Sequence, residues 1–501
     1  MERDAIRIHP QDNVAVALRP LAEGEAVSVD GQAVRIQEEI PFGHKVALTD
    51  LADGAMVVKY GAQIGHTTQA VPSGAWLHSH NLKTNLEGLL DYQYAPAAPR
   101  QPEPGNGADT FLGYCRPDGR VGTRNELWII PTVSCVNRTV SRMAEEARRQ
   151  GIQAGDGIFA FPHNAGCSQL GDDFETTQKL LRNLVKHPNA GGVLLVSLGC
   201  ENNDLDHFLP VLGDYDRRRI RTLVTQDMEG DEIEAGLSLM REIAAVMAED
   251  RREECPASRL VLGFKCGGSD AFSGLTANPS AGYAADMLVK GGATVLFSEV
   301  TEVRDGVPML AARCVSAEVR DKLAAEMKWY DDYLDAGGVD RDANPTPGNK
   351  KGGLANIVEK AMGSIAKSGT APIEEVLSPA EKPHKHGLIY AATPASDIVC
   401  GPCQLASGIG LQVFMTGRGT PYGLAAAPVI KVCSRNEMKE HWFDLIDVNA
   451  GPIATGEKTI ADVGAELFHL ILDVASGVKK PYSDQYGFHN DLCIFNPAPI
   501  T

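Results

Sequence analysis

The sequence predicts an α/β body built on parallel sheets and preceded by a small all-β domain. Two observations carry this. The first 90 or so residues hold short apolar runs separated by turn signals, without helical periodicity. Beyond a Pro- and Gly-rich segment, apolar strands alternate with amphipathic helices up to the C-terminus, which is the grammar of βαβ units.

In the N-terminal part the runs AIRIH, VAVAL, KVALT and MVVKY are broken by Asp30-Gly31 and Asp53-Gly54. Residues 95–109 read APAAPRQPEPGNGAD; Pro at this density holds neither a helix nor a central strand, so a linker is expected. Strands are expected at 127–133, 157–161 and 191–199, with helices at 140–149, 174–186 and 231–249. The segment RREECPAS (251–258) marks a second boundary. The alternation restarts with strands at 259–264, 293–300, 387–393, 411–416 and 429–433 and helices near 281–290, 315–335 and 460–477. The expected division is a β domain over 1–94, the linker over 95–109, and α/β domains over 110–250 and 251–501. No internal repeat is evident.

Composition narrows the function. Hydrophobic residues make up 43% of 501, enough for packed cores. With 47 Lys+Arg against 65 Asp+Glu the net charge is −18, which argues against nucleic acid or an anionic membrane as partner. The N-terminus lacks a signal-peptide pattern and no apolar run is long enough to span a bilayer, so a cytoplasmic protein is expected. Eleven Cys without scaffold spacing fit a reducing compartment, as thiols or metal ligands.

Ligands of open parallel sheets bind beyond the carboxyl ends of the strands. The residues expected there are Ser134-Cys135, Pro162-His163 with Cys167, Cys200-Glu201, Lys265-Cys266 with Asp270, Glu299, and the loop holding Arg418. A single Cys in such a place is as well explained as a small buried hydrophobe, but the repeated coincidence points to a site. His163 with Cys167 suits iron or zinc. In Trp76-Leu77-His78-Ser79-His80-Asn81, the H-x-H spacing on a strand would turn both imidazoles to one face, where they could chelate a metal or simply be solvated; His44 and His66 lie in the same domain. Cys400-Gly-Pro-Cys403 has redox spacing without a redox context and reads as structural. Arg124 with Asn125 and Arg418 lie in Gly-rich turns where a guanidinium can meet a carboxylate. Lys350 and Lys351 lie on a Pro/Gly-rich loop expected to lack regular structure.

The segments HSHN, GRVGTRNELWIIPTVSCVN, HNAGCSQLGDD, LGCENN, CGGSDAFSGLTANP, NPTPGNKKGG and TGRGTPYG together resemble the altronate/galactarate dehydratase family across nearly the whole chain. The N-terminal half is more similar to altronate dehydratase and the C-terminal half to galactarate dehydratase. The resemblance implies an N-terminal β-clip (SAF) domain, a two-part catalytic body and a divalent metal, Fe(II) first, with Mn(II) or another ion as substitute. It also implies a sugar-acid substrate, altronate first and galactarate second, converted to a 2-keto-3-deoxy acid.

Such a reaction removes the proton beside a carboxylate and expels hydroxide from the next carbon, so developing negative charge must be stabilised by a metal and by Arg or Lys. The expected metal ligands are Cys135, Cys167, Cys200 and Cys266, with His78 and His80 closing over them from the β domain. His163, Lys265 and Glu201 are the expected acid–base groups; a Lys base would need a depressed pKa. Arg124, Asn125, Asp270, Glu299, Lys350 and Arg418 are expected to bind substrate. The alternatives are a sulfolactate-type lyase, an iron–sulfur hydro-lyase, or a non-catalytic carbohydrate- or partner-binding protein. A homo-oligomer is compatible with all of these.

Overall fold

The computed structural model describes residues 3–85, 109–339 and 343–494. The expected linker lies outside the described residues except for Asp109. The N-terminal part is all-β. Ala5–Ile6, Val14–Ala17, Lys45–Ala47 and Trp76–Leu77 form an antiparallel sheet. Ala26–Val29 pairs with Gln32–Arg35 through Asp30-Gly31, both at positive φ, the two-residue turn that matches strand twist. Met56–Lys59 pairs with Ala62–Thr67 through Tyr60-Gly61 in the same conformation, so Tyr60 closes a turn and does not extend the strand.

These two hairpins belong to an internal repeat, contrary to the expectation of none. The bridge Leu21↔Ile40 is matched by Leu51↔Val71, and the positive-φ Gly24 and Gly43 by Gly54 and Gly74. The repeat is hard to see in sequence because only turn glycines and a few apolar positions recur.

The first α/β unit is a four-stranded parallel sheet in the order Gly157–Ala160, Glu126–Pro131, Ala190–Ser197, Ile220–Val224. The last of these is absent from the sequence expectation; Arg219 and Arg221 interrupt its apolar pattern, and it is an edge strand. Trp128 and Ile130 point into a core shared with the C-terminal unit, whereas Leu127 and Ile129 face helices Asn137–Arg149 and Glu232–Met247. This alternation is the two-residue period of a strand buried on both faces. The expected boundary near 251–258 contains strand Glu253–Pro256, which pairs with Thr110–Cys115 and ties the two units together.

The C-terminal unit is a seven-stranded parallel sheet in the order Ile373–Leu377, Gly387–Ala391, Thr294–Phe297, Val261–Cys266, Leu411–Thr416, Val429–Cys433, Val448–Asn449. Helices Ala277–Lys290, Ala317–Ala336, Ile357–Ile365, Asp397–Ala406 and Ile460–Ala475 are among those that cover it. Both α/β sheets have a switch point, where successive strands go to opposite sides. In the small sheet it lies between Glu126–Pro131 and Ala190–Ser197. In the large sheet it lies between Val261–Cys266 and Leu411–Thr416.

The β domain docks on the C-terminal unit through charge. Lys45 Nζ and Lys59 Nζ, both buried, donate to the two oxygens of buried Glu359 at 2.9 and 2.6 Å. Phe42 stacks on Phe272 at 4.9 Å, and Asn356 donates to the Ile64 carbonyl. Among the described residues no helix is long and apolar enough to cross a membrane.

Candidate active site

The switch point of the small sheet carries three thiols. Cys135 lies in the single turn Ser134–Val136 that leads into helix Asn137–Arg149; Cys167 and Cys200 come after the next two strands. All three are free and exposed. Burial, slight as it is, and the nearby thiols of Cys167 and Cys200 raise the Cys135 thiol above its ordinary value. Cys200 accepts from Gln226 Nε2 at 3.4 Å. The loops are fastened from below. The Glu201 carboxylate accepts from Thr132 Oγ1 at 2.6 Å, Ser197 Oγ at 2.7 Å, and the backbone N–H groups of Leu198 and Gly199. Burial alone would raise this carboxyl, but these donors hold it below the usual range. Asn203 donates to the Thr132 carbonyl. Buried His163 donates from Nε2 to the Pro131 carbonyl at 2.8 Å and accepts at Nδ1 from the Ala165 N–H; burial lowers its pKa below the ordinary imidazole value. His163 and Glu201, expected as acid–base groups, thus have their polar atoms engaged in holding the cysteine loops.

A cleft of about 630 Å³ opens beside these loops. Ser134, Asn137, His163 and Asn164 line one wall; Ile398 and Cys493 of the C-terminal unit line the other. The residue before Ile398 is Asp397, which lies beyond the end of strand Gly387–Ala391 and begins helix Asp397–Ala406. Its carboxylate pairs with Lys265 Nζ, and its side chain is 25% exposed where that of Lys265 is 0%. Lys265 also meets Glu299 at 3.4 Å. Burial opposes its charge, but Asp397 and Glu299 raise Lys265 well above its ordinary value, so the expected depressed pKa is not met.

Beneath this pair lies a buried polar group. Cys266 Sγ, Glu299 and Glu302 each place a ligand atom within 4.8 Å of the others, a spacing that can hold a metal ion. The carboxylates already carry ammonium partners. Lys367 Nζ lies 2.5 Å from Glu299 Oε2 and 3.4 Å from Cys266 Sγ, and Lys360 Nζ lies 2.7 Å from Glu302. Burial pushes the Cys266 thiol up to about 12 and raises Glu299; Glu302 is lowered because Lys360 and Lys367 outweigh its burial. A cation entering here has to displace Lys367. Glu299 sits at φ 79°, in the left-handed region that a side chain rarely adopts.

The loops at the large sheet's switch point interlock. The Gly417 and Arg418 N–H groups donate to the Gly268 carbonyl at 3.2 and 2.9 Å. A Cβ on Gly267 would stand 2.5 Å from Asp397 Oδ1, and one on Gly417 2.2 Å from Asp270 Cγ. Asp270 is buried and taken up by Arg435, Ser434, Ser273 and the Phe272 N–H, so it fastens these loops. Arg418 is half-buried, and its guanidinium makes no hydrogen bond or ion pair among the described residues. Lys350, also without a side-chain partner among the described residues, lies in the short helix Pro347–Lys351, which Thr346 caps with Asn349; the loop expected here is ordered by that capping box.

The structure separates the other expected residues from this rim. Arg124 and Asn125 precede strand Glu126–Pro131, at the amino end of the sheet, about 20 Å from the cysteine loops at ~3.3 Å per residue. Arg124 is occupied by Glu126, Asp484 and the Ala425 carbonyl, and Asn125 by Arg116. Cys266 lies in the buried group of the C-terminal unit, apart from the other three thiols. Residues 78–81 form a turn, not a strand: His78 N–H donates to Asn81 Oδ1, and Asn81 Nδ2 to the Trp76 carbonyl. His78 is buried, stacked on Trp76 and beside His44, and burial with the charge of Lys45 lowers it to about 3; His80 is exposed against the same indole. Cys400 and Cys403 are buried thiols in helix Asp397–Ala406.

Sequence reasoning missed Asp397, Glu302, Lys360 and Lys367. Asp397 is the first charged residue after strand Gly387–Ala391, so the strand-end criterion could have found it. Glu302 and Lys367 lie on two 3₁₀ turns and Lys360 on helix Ile357–Ile365, and their proximity to Cys266 is tertiary.

Three family models cover the chain. Residues 3–85 match the altronate/galactarate dehydratase SAF domain. Residues 113–248 match the second domain of D-galactarate dehydratase/altronate hydrolase, and 257–500 the C-terminal domain of D-galactarate/altronate dehydratase. The chain is 48% identical to galactarate dehydratase (L-threo-forming) of Escherichia coli K12, over 99% of this chain and 97% of that protein. It is 39% identical to altronate dehydratase of Bacillus subtilis 168, over 94% and 95%. It is 31% identical to the (2R)-sulfolactate sulfo-lyase subunit beta of Chromohalobacter salexigens, over 74% and 93%. The chain therefore belongs to the altronate/galactarate dehydratase family.

Proposed function

We propose that this chain is a metal-dependent dehydratase that removes water from a sugar acid, with galactarate the first substrate to test and altronate the second. The observation that carries the substrate class is the 48% identity to a galactarate dehydratase along essentially the whole of both chains, against 39% to an altronate dehydratase. The sulfo-lyase relative matches only 74% of this chain, which makes sulfolactate the weaker candidate.

The chemistry is supported by one continuous rim. Ile398 lines the cleft, Asp397 precedes it, Gly267 abuts Asp397, and Gly268 is bound by Arg418. Arg418 and Lys350 are free cations among the described residues and bind the substrate carboxylates; a guanidinium does so bidentately. Asp397, oriented by Lys265, takes the proton from the carbon beside a carboxylate. The electron pair of that C–H bond forms the C=C bond, the C–O bond on the next carbon breaks, and the hydroxide is protonated and leaves as water. The enol then becomes the 2-keto-3-deoxy acid. Lys265 is a positioning residue: it is fully buried and pairs with the Asp397 carboxylate.

The metal in this reading is iron, with Mn(II) as alternative. Thiolates suit iron, and Cys135, Cys167 and Cys200 have no ammonium to displace; Mn(II) would favour the carboxylates beside Cys266. Bound, the metal supplies Lewis acidity for the leaving hydroxyl. The test is an anaerobic, iron-loaded assay for 2-keto acid on galactarate, altronate and sulfolactate. Silence on both sugar acids overturns the reading.

A further inference from the structure

We propose that a second cleft, at the amino end of the small parallel sheet, binds a phosphate monoester, with Arg120 and Lys186 holding the phosphate and Arg182 and Lys382 completing the positive charge around it. The site lies at the opposite end of the sheet from the thiol loops, and the proposal does not rest on the dehydratase reading.

The cleft has a volume of about 390 Å³. Its walls are the turn 116–120, the segment that runs from helix Gly171–Val185 into strand Ala190–Ser197, and the residues that lead into strand Ile220–Val224. Two of its guanidiniums fasten the walls. Arg116 and Arg219 share Asp250, at 3.4 and 2.7 Å, and donate to the carbonyls of Pro188 and Gly191. Asp216 is taken by Arg218 at 2.9 Å. Arg120 has Asp118 at 2.8 Å, and Lys186 has no side-chain partner among the described residues.

Two further cations join these from behind. Lys179 Nζ and Asn183 Nδ2 donate to the carbonyls of Pro379 and Ala380 at 2.8 and 2.9 Å, which lays one face of helix Gly171–Val185 along that loop. Arg182 and Lys186 stand three and seven positions after Lys179, on the same face. Lys382 follows Ala380 by two residues, and its neighbour Glu381 is spent on Lys322 at 2.8 Å. Among the described residues Lys382 has no hydrogen bond or ion pair, and Arg182 has only a contact with Asn183 at 3.3 Å. All four cations are half-buried.

The carboxylates that face this group are Asp118, already bonded to Arg120, and exposed Asp214 beside Lys186. Four cations against two carboxylates reverse, locally, the field of a chain whose net charge is −18. Like charges gathered where water is partly excluded repel one another. The strain shows in the ammoniums: burial and the fields of Arg120, Arg182 and Lys186 bring Lys382 down to about 8, and burial with Arg182 and Arg120 lowers Lys186. The end of helix Gly171–Val185 favours cations and accounts for Arg182 and Lys186. It does not account for Arg120 and Lys382, which two other segments bring to the same place. A doubly charged oxyanion resolves the repulsion, and a guanidinium fork with ammoniums beside it is the donor set that phosphate takes. The cleft is much larger than a phosphate ion. Along Pro117, Pro188, Val193 and Tyr215 it has room for an organic group, which favours an ester over the free ion. Bound there, the anion bridges the small unit and the loop that carries Lys382 in the large one.

The experiment is thermal unfolding of the full chain in phosphate-free buffer. Glucose 6-phosphate at about 10 mM should raise the midpoint by about 3 °C or more over sodium chloride of equal ionic strength, and inorganic phosphate should do so less. Lys186→Ala and Lys382→Ala should each lose more than half of that gain. Without added anion they should melt no lower than the wild type, because removing one cation relieves the others. Lys290→Ala, an exposed lysine elsewhere, should keep the gain. Arg418→Ala should keep it too, which separates this cleft from the rim proposed for the sugar acid. Calorimetric titration of glucose 6-phosphate into the wild type should show about one site per chain, and it decides the matter if a variant does not fold. No gain beyond that of salt, no titratable site, or a gain that survives in both lysine variants overturns the proposal. A gain from inorganic phosphate alone overturns the ester. A gain lost in Arg418→Ala and kept in the lysine variants places the anion at the rim and overturns this site.

Discussion

The Thr132 hydroxyl donates to the Glu201 carboxylate at 2.6 Å, tying the end of one strand to the turn that presents Cys200 from the next. Both residues are buried, and Ser197, Leu198 and Gly199 donate to the same carboxylate. The thiol loop is thus held by a single anion with four donors. Glu201→Ala leaves those donors without a partner and should cost about 3 kcal/mol or more. Thermal unfolding should show the loss; an unchanged midpoint would contradict this role.

In the proposed reaction Asp397, next to the cleft-lining Ile398, is the proton acceptor. Asp397→Asn should lower kcat by about 10²–10⁴-fold with little change in fold, because Lys265 keeps Glu299 as a partner. Steady-state kinetics alongside circular dichroism decide it. Wild-type kcat in this variant would move the base elsewhere.

Arg418 is expected to act on binding. Arg418→Ala should raise KM for the sugar acid by about tenfold or more, in line with ~1.5–3 kcal/mol for a charge-assisted hydrogen bond. Arg418→Lys should recover only part of it, since an ammonium cannot make the paired contact. A drop in kcat at constant KM would argue for a different role.

Glu359 links the β domain to the catalytic body. Burial would raise its carboxyl, but Lys45 and Lys59 hold it at about 2, against an ordinary 4.5. A carboxyl lowered in the folded state stabilises at pH above its unfolded value. That contribution fades as pH falls from about 4.5 toward 2. Acid unfolding of the wild type should therefore carry a proton-linked loss over that window. Glu359→Gln should abolish it and, by stranding two buried ammoniums, cost about 3–5 kcal/mol at neutral pH. An identical pH dependence in both proteins would refute the linkage.

Gly417 is required by close approach. Its Cβ would fall 2.2 Å from Asp270 Cγ, so Gly417→Ala should displace the buried carboxylate from Arg435 and Ser434 and lower both stability and turnover. Urea unfolding gives the first, the 2-keto-acid assay the second.

Much of the fold is legible in the chain. Strands such as Glu126–Pro131 and Ala190–Ser197 are buried on both faces, so they read as unbroken apolar runs. Ile220–Val224 does not, because an edge strand keeps charged side chains. The rule that ligands lie beyond strand ends reaches Cys135, Cys167, Cys200, Cys266, Lys265 and Glu299. It fails for Arg124, since a residue just before a strand lies at the opposite end of the sheet. Nor can it tell a ligand from a support: Asp270, His163 and Glu201 are polar residues at strand ends whose atoms are used up by their own loops.

Local pattern determines which segments become strands and helices, because burial on one or two faces leaves its mark on nearest neighbours. That is why the all-β start, the two α/β units and the three thiol-bearing loops can be read without coordinates. Whether a polar side chain is free or occupied depends on partners hundreds of positions away. Lys45 with Glu359 and Arg124 with Asp484 are examples, and only the folded chain brings such groups within reach. The division between working residues and fastening residues is therefore decided by tertiary packing, through the cost of leaving any buried polar atom without a partner.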